Sequence, residues 1–334
     1  MSNEIALETV SCPRCGSNES EPQFQARDYL YGVPGVFTAS RCLVCALTFQ
    51  NPRPTPETLS LAYPSSYIPH SSDMDEIAPP IDGRVGQVLS NELGYTQFPV
   101  PVRRMPKWWQ RWKVTVDLIP AFRPDGAVLE IGAATGSRLR GLRALGWSDL
   151  HGIELVDSAA SLARRSGFDV RTGSVESMIV SIPDSTYDVV IASFVLEHLY
   201  NPFEIVKEVT RILKPGGEFL FSTITRDSLD GRLWGKWWAG YDFPRHMVYF
   251  DNRDLRGLTS DFQWCAEARH DAIQDYARES WWRLMECRNI TDRVVGRLAK
   301  THAGSWISRI LAWSRLGCRI SVRARKADVQ RISA

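Results

Sequence analysis

Residues 128–137 read VLEIGAATGS: an apolar run closing in a turn of small residues, with glycines at 132 and 136 and an acid, Glu130, two places before the first. Small residues after an apolar run let the backbone turn sharply and come close to a ligand. Whether that ligand carries phosphate or positive charge decides what the neighbouring residues must supply.

The surrounding chain alternates between two periodicities. AVLEIG is a short apolar run, and SRLRGLRALG carries Leu139, Leu142 and Leu145 at helical spacing before Gly146. DLHGIEL, FDVRTGS and EFLFSTI read as further strands, DSAASLARRSG and NPFEIVKEVTRILKPGG as helices, the latter opened by proline and stopped by Lys-Pro-Gly-Gly. YDVVIASFVL is apolar throughout, as a strand covered on both faces must be. Strands alternating with helices of this length predict an α/β, doubly wound parallel sheet. Ligands of such sheets lie beyond the carboxyl ends of the strands, where the turn after VLEIG falls.

A dinucleotide fingerprint starting at Gly132 would need glycine at 134 and 137, but the chain has Ala134 and Ser137. Pyrophosphate demands close backbone approach at the second glycine, where even a methyl group interferes. The pattern acid-x-G-x-G-x-G, typical of S-adenosyl-L-methionine (SAM) sites, is met by Glu130, Gly132 and Gly136, with Ala134 one methyl away. SAM has no phosphate and carries an ammonium and a sulfonium, so carboxylates near strand ends suit it. Glu154 closes the second strand, where an acid can accept bonds from both ribose hydroxyls. Ser174, followed by Val175, sits where a side chain could reach the adenine amino group; its alternative role is a polar turn residue. Ser193, at the end of the fourth strand, completes the expected cofactor set.

VLEIGAATGSRL, GIE, TGSVE, YDVVIASFVLEHLYNP and ILKPGGEFLFSTI, in this order and spacing, resemble the class I SAM-dependent methyltransferases over residues 125–225. The resemblance implies a Rossmann-like seven-stranded sheet whose last strand is antiparallel. RISVRARKA (319–327) is similar to that strand and DFQWCAEARH to the one before it.

Cys12-Pro-Arg-Cys15-Gly and Cys42-Leu-Val-Cys45-Ala form two C-x-x-C knuckles separated by 26 residues. Two residues between thiols let both sulfurs face one ion, and two such turns give a closed tetrahedral S₄ site, which is structural and suits Zn²⁺. This region resembles the cysteine-rich N-terminal modules of some bacterial methyltransferases of sugar and secondary-metabolite biosynthesis. The expected organisation is a zinc-ribbon-like module over 1–55, and a linker with an amphipathic cap helix over 56–120. A methyltransferase domain over 121–334 follows, with a substrate or lid insertion at about 226–250 and a helical insertion at about 274–315.

Methyl transfer to a hydroxyl needs a base close to the acceptor. Among six histidines, His246 in GYDFPRHMVYF is the first candidate, a stretch dense in aromatics and placed where the resemblance implies substrate-binding residues. His198 and Glu197, in LEHL, are expected to border the same pocket, and Tyr241 and Arg245 to orient a substrate. The structural alternative for His246 is a hydrogen-bonded residue holding a turn beside Pro244. Tryptophans cluster at Trp108, Trp109 and Trp112, at Trp234, Trp237 and Trp238, and at Trp281 and Trp282. They read first as a lid, then as an acceptor wall in which Trp237 and Trp238 touch substrate, then as a membrane-interface surface.

Three function classes stay open. A small-molecule methyltransferase, acting on a hydroxyl of a sugar or natural product, leads; a deoxysugar C-methyltransferase is its variant. An RNA methyltransferase is disfavoured by a net charge of only +2. A non-catalytic SAM-fold platform is the third. No run of about 18 apolar residues and no signal-peptide pattern is present, so the expected compartment is the cytoplasm; the oligomeric state is left open.

Overall fold

The computed structural model describes residues 4–64, 83–98, 111, 113–115, 117–270 and 316–327. Trp108, Trp109, Trp112, Trp281, Trp282 and the helical insertion expected at about 274–315 lie outside the described residues.

The cysteine knuckles sit among five short strands: β1 (Leu7–Glu8), β2 (Ser20–Ala26), β3 (Phe37–Cys42), β4 (Thr48–Gln50) and β5 (Arg53–Pro54). Helix α1 (Gly83–Leu93) precedes the main sheet. That sheet is built from β6 (Ala127–Ile131), β7 (Asp149–Glu154), β8 (Asp169–Thr172), β9 (Tyr187–Ser193) and β10 (Leu213–Ile224). Between them run α2 (Ser137–Ala144), α3 (Asp157–Arg165), α4 (Val175–Met178) and α5 (Pro202–Ile212). Then come α6 (Leu229–Trp234), β11 (Val248–Tyr249), α7 (Asn252–Leu258), β12 (Phe262–His270) and β13 (Arg319–Lys326).

The main sheet has seven strands in the order β12-β13-β10-β9-β6-β7-β8. Strands β8, β7, β6, β9 and β10 pair in parallel, while β13 runs antiparallel to both β10 and β12. This is the Rossmann-like sheet with an antiparallel final strand. Alternation along β6 divides the core. Val128 packs with Val88 and Leu89 of α1 and Leu139 and Leu142 of α2. Leu129 and Ile131 face Ile205 and Val209 of α5 and Leu255 of α7. The apolar run of β9 is covered on both faces, with Val189, Val190, Ile191 and Ala192 all at 0% exposure. The chain leaves β6 toward β7 and β8, then returns to place β9 on its other side. The carboxyl end of β6 is therefore the switch point where a ligand fits.

The cysteine module does not close its sheet alone. β2, β3 and β4 pair antiparallel, and the fourth strand is β11, from the region between β10 and β12. Val248 pairs with Phe49 and Tyr249 with Thr48, and Gln50 N–H donates to the Met247 carbonyl at 2.8 Å. Arg14, inside the first knuckle, donates to the buried Asp254 of α7 at 2.9 Å. Among the described residues, no helix is long and apolar enough to cross a membrane.

Glu218 is the polar anchor of the antiparallel edge. It is 1% exposed and accepts from Arg323 at 3.1 Å, Arg325 at 3.3 Å and the Ala121 amide at 3.1 Å. A Glu218→Leu change leaves the Arg323 guanidinium buried beside no carboxylate. The expected loss is about 3–5 kcal/mol, read as a lowered urea midpoint at unchanged slope; a change within 0.5 kcal/mol (roughly the scatter of neutral surface substitutions) would contradict this role.

Candidate active site

A cavity of about 500 Å³ opens beyond the carboxyl ends of β6, β7 and β9. At one end it is lined by Gly132, Ala134, Glu154, Leu155, Ser174 and Val175, and at the other by Tyr63, Phe194, Glu197, His198, Asp242 and His246, with Ser193 between.

The turn after β6 explains its own composition. Gly132 has φ +74°, and a Cβ there would stand 2.6 Å from Val195 Cγ2. Gly136, at φ +79°, caps α2 where a Cβ would meet Ala163 at 3.0 Å. Ala134 adopts φ +44° although it is not glycine, a conformation that costs about 1–2 kcal/mol for an L side chain. Its N–H donates to Glu154 Oε2 at 2.8 Å, while the Val156 N–H donates to Oε1 at 2.8 Å. Glu154 thus shapes the turn from the next strand while lining the cavity.

Glu130 lies one layer below, at 4% exposure. Arg138 donates to its Oε1 at 3.0 Å and to Ser193 Oγ at 3.2 Å. Glu130 Oε2 is buried with no hydrogen-bond partner. Burial pushes the Glu130 carboxyl up to about 7 despite Arg138. Ser174 caps α4, its Oγ accepting from the Ser177 N–H at 3.3 Å.

The far end is built from two imidazoles and two carboxylates. The rings of His198 and His246 meet edge to face, with centroids 4.5 Å apart. His246 Nδ1 lies 2.8 Å from the Gly240 carbonyl and His198 Nδ1 3.1 Å from the Arg245 carbonyl. A carbonyl oxygen only accepts, so each ring carries its proton on Nδ1 and its lone pair on Nε2. Tyr63 Oη stands 3.2 Å from His198 Nδ1. Burial, then the neighbouring His246, pulls the His198 imidazole down to about 3, so it is neutral. His246 Nε2 is 3.8 Å from Asp242 Oδ2. Glu197 is 1% exposed and accepts from the Thr223 hydroxyl at 2.8 Å; burial pushes its carboxyl up to about 7.

Four residues expected at the substrate lie elsewhere. Arg245 is 0% exposed. It donates to Asp28 at 2.8 and 2.9 Å, to Asp242 at 3.0 and 2.7 Å, and to the Ala62 and Phe243 carbonyls at 3.0 Å. A guanidinium with all five N–H groups committed has none to offer a substrate. Trp238 is 1% exposed and donates to Asp230 at 2.9 Å. Tyr241 is enclosed by Phe24, Trp238, Phe243 and Tyr249. Trp237 packs on Tyr29 and under Lys236. None of the four lines the cavity.

The cavity also holds residues that sequence reading missed. Tyr63 falls in a proline- and serine-rich stretch that reads as connector. Asp242 carried a signal, since it precedes Arg245 by three and His246 by four residues, but spacing alone did not show that the turn is tight. Asp242, Phe194 and Ala134 all have positive φ, at 28°, 54° and 44°, and backbone strain of this kind gathers at functional sites.

The four knuckle sulfurs lie within 4.8 Å of one another, with Cys12–Cys45 and Cys15–Cys42 each at 3.5 Å. Gly16 and Ala46 hold matching left-handed positions just past each pair, at φ 72° and 64°.

Residues 103–266 match the family model described as a methyltransferase domain. An uncharacterized protein of Methanocaldococcus jannaschii is 27% identical over 132 residues, 38% of this chain and 61% of that one. A ubiquinone biosynthesis O-methyltransferase of Burkholderia orbicola is 32% identical over 107 residues, 30% of this chain and 41% of the relative. The matches thus span less than two thirds of either relative. Among solved structures, a SAM-dependent methyltransferase from Archaeoglobus fulgidus aligns over 65% of this chain and 94% of its own, with 19% identity and a TM-score of 0.44.

Arg245→Met keeps the bulk but leaves Asp28 and Asp242 buried without their cation. The expected cost is about 3–5 kcal/mol, measured by urea denaturation. A variant as stable as the parent would show that the cluster does not hold the site together.

Proposed function

Since residues 103–266 belong to the methyltransferase-domain family, we propose that this protein moves a methyl group from SAM to a hydroxyl oxygen of a small molecule, a sugar or natural product in class. The observation that supports this reading is a single cavity that reaches both Glu154, beside the turn after β6, and the His198–His246 pair. When bound, SAM supplies an electrophilic methyl group on a sulfonium.

At the donor end, Glu154 lines the cavity with its carboxylate held by the Ala134 and Val156 N–H groups, placed to accept from a ribose diol. The unpartnered Glu130 Oε2 is suited to a cationic ligand, directly or through water. Ala134 narrows the turn by one methyl and leaves no room for pyrophosphate. Gly132, Ser174, Val175 and Ser193 complete the donor wall, and Gly136 opens α2 behind it.

At the acceptor end, His246 is the proposed base. Its Nδ1–H is held by the Gly240 carbonyl, which puts the lone pair on Nε2, the atom proposed to take the acceptor's proton as the oxygen attacks. The imidazolium so formed is stabilised by that carbonyl and by the nearby Asp242 carboxylate. His198, held neutral, and Glu197 border the acceptor; Tyr63 bonds His198 from the N-terminal side. A wall that carries the Glu197 and Asp242 carboxyls beside two imidazoles and a tyrosine suits an uncharged hydroxyl compound better than a phosphate chain. With a net charge of +2, this favours a small acceptor over RNA.

The test is calorimetric binding of SAM together with transfer of labelled methyl to a panel of hydroxylated sugars and phenols. His246→Ala is expected to keep SAM binding and lose about 10²–10⁴-fold in rate, whereas Gly132→Ala is expected to lose SAM binding through the clash with Val195. Failure of SAM to bind the parent protein at micromolar levels would sink the reading.

The four knuckle cysteines fit a structural zinc ion, all four sulfurs converging with no position left for water. Chelating that ion is expected to free four reactive thiols and to raise hydrogen exchange at Val248 and Tyr249, because β4 holds β11. Unchanged exchange there after full metal loss would show that the module does not support the acceptor loop.

A further inference from the structure

The acceptor end contains a combination that proton abstraction alone does not require. His198, His246 and Glu197 each offer a ligand atom, and these atoms lie within 4.8 Å of one another. From this geometry we propose that the three side chains form a second metal site, distinct from the cysteine tetrad, for a borderline divalent transition-metal ion such as Zn²⁺ or Co²⁺.

Three features of the surroundings prepare it. Each imidazole gives its Nδ1–H to a backbone carbonyl, Gly240 for His246 and Arg245 for His198, which fixes the tautomer with the lone pair on Nε2. A histidine ligand is held in this way when its second nitrogen is anchored by a carbonyl. Glu197 is likewise oriented, by the Thr223 hydroxyl on Oε2. All three line the cavity, so an ion has an entry path. Two neutral nitrogens and one carboxylate suit zinc or cobalt rather than magnesium or calcium, which prefer oxygen alone. Three protein ligands also leave a coordination position open toward the cavity, unlike the closed sulfur site.

Coordination and proton abstraction use the same lone pair of His246 Nε2. An ion held here therefore blocks the base, and the metal-bound enzyme is inactive until the ion leaves. That inhibition rests on the base assignment proposed above; the binding of the ion does not.

The experiment is a Co²⁺ titration of the full-length protein whose cysteine site is already filled with zinc. One further equivalent is expected, with the weak visible bands of nitrogen and oxygen ligands and no thiolate charge-transfer band. His198→Ala should weaken this binding on the order of 100-fold, at least the loss seen when a group that merely supports a ligand is removed. Glu197→Gln should weaken it too, and neither change should alter the metal content of the cysteine site. Methyl transfer to an acceptor from the panel is expected to fall as the second equivalent binds and to return on mild chelation. A titration ending with no second equivalent, or one unaffected by His198→Ala, overturns the metal site while leaving the base assignment to its own test. A second equivalent that binds as described with undiminished transfer supports the metal site and overturns His246 as the base.

Discussion

The arrangement of the cavity wall that holds His198 and His246 depends on one buried cation. Arg245 is fully enclosed, clamped by Asp28 from the N-terminal module and Asp242 from its own turn, with the Ala62 and Phe243 carbonyls taking its remaining N–H groups. Buried ion clusters of this kind add little net stability over an apolar filling, but each member is costly to remove singly. Their use is to specify which segments meet. Here the cluster joins three segments distant in sequence, around residues 28, 62 and 242. The residue next to the cation is His246, so the proposed base is positioned as a consequence.

The same logic explains why a cysteine module is joined to a catalytic sheet. β11 begins two residues after His246 and finishes the module's four-stranded sheet by pairing with β4, which starts six residues after Cys42 of the second knuckle. The Arg14–Asp254 pair ties the first knuckle to α7. His246 is thus held from one side by the ion cluster and from the other by a strand whose partner hangs on the knuckles. A domain joined by a linker could not hold a side chain with this constraint; one sharing a sheet can.

Local patterns made much of this visible in the sequence. The apolar run at Tyr187–Ser193 and the Pro-opened helix at Pro202–Ile212 carry their patterns within a dozen residues, and each forms where it was expected; the final strand at Arg319–Lys326 was expected from the family resemblance and also forms. The cysteine pairs were equally legible, because a two-residue spacing is itself a geometry. What stayed hidden depends on contacts across long sequence separations. Arg245 looks like an anion-binding group until Asp28, 217 residues away, is known to sit against it. Trp238 reads as an acceptor wall until Asp230 takes its indole N–H. Tyr63 has no local feature to mark it, since only the folded module brings it to His198.

The charge distribution of the cavity then follows from the reaction proposed for it. A cationic donor that becomes neutral on losing its methyl group releases its product most easily if the surrounding carboxylates do not all stay charged. Burial pushes the Glu130 and Glu197 carboxyls up to about 7, so neither is a fixed charge at neutral pH. Glu154 differs, with two backbone N–H groups fixed on its oxygens, and its work is positional. Asp242 is bound bidentately by Arg245, which fixes the carboxylate beside His246. The site therefore combines two carboxyls whose charge burial leaves unfixed with two whose hydrogen bonds hold the geometry. Burial depth and the number of donors around each carboxylate, rather than residue type, separate the two pairs.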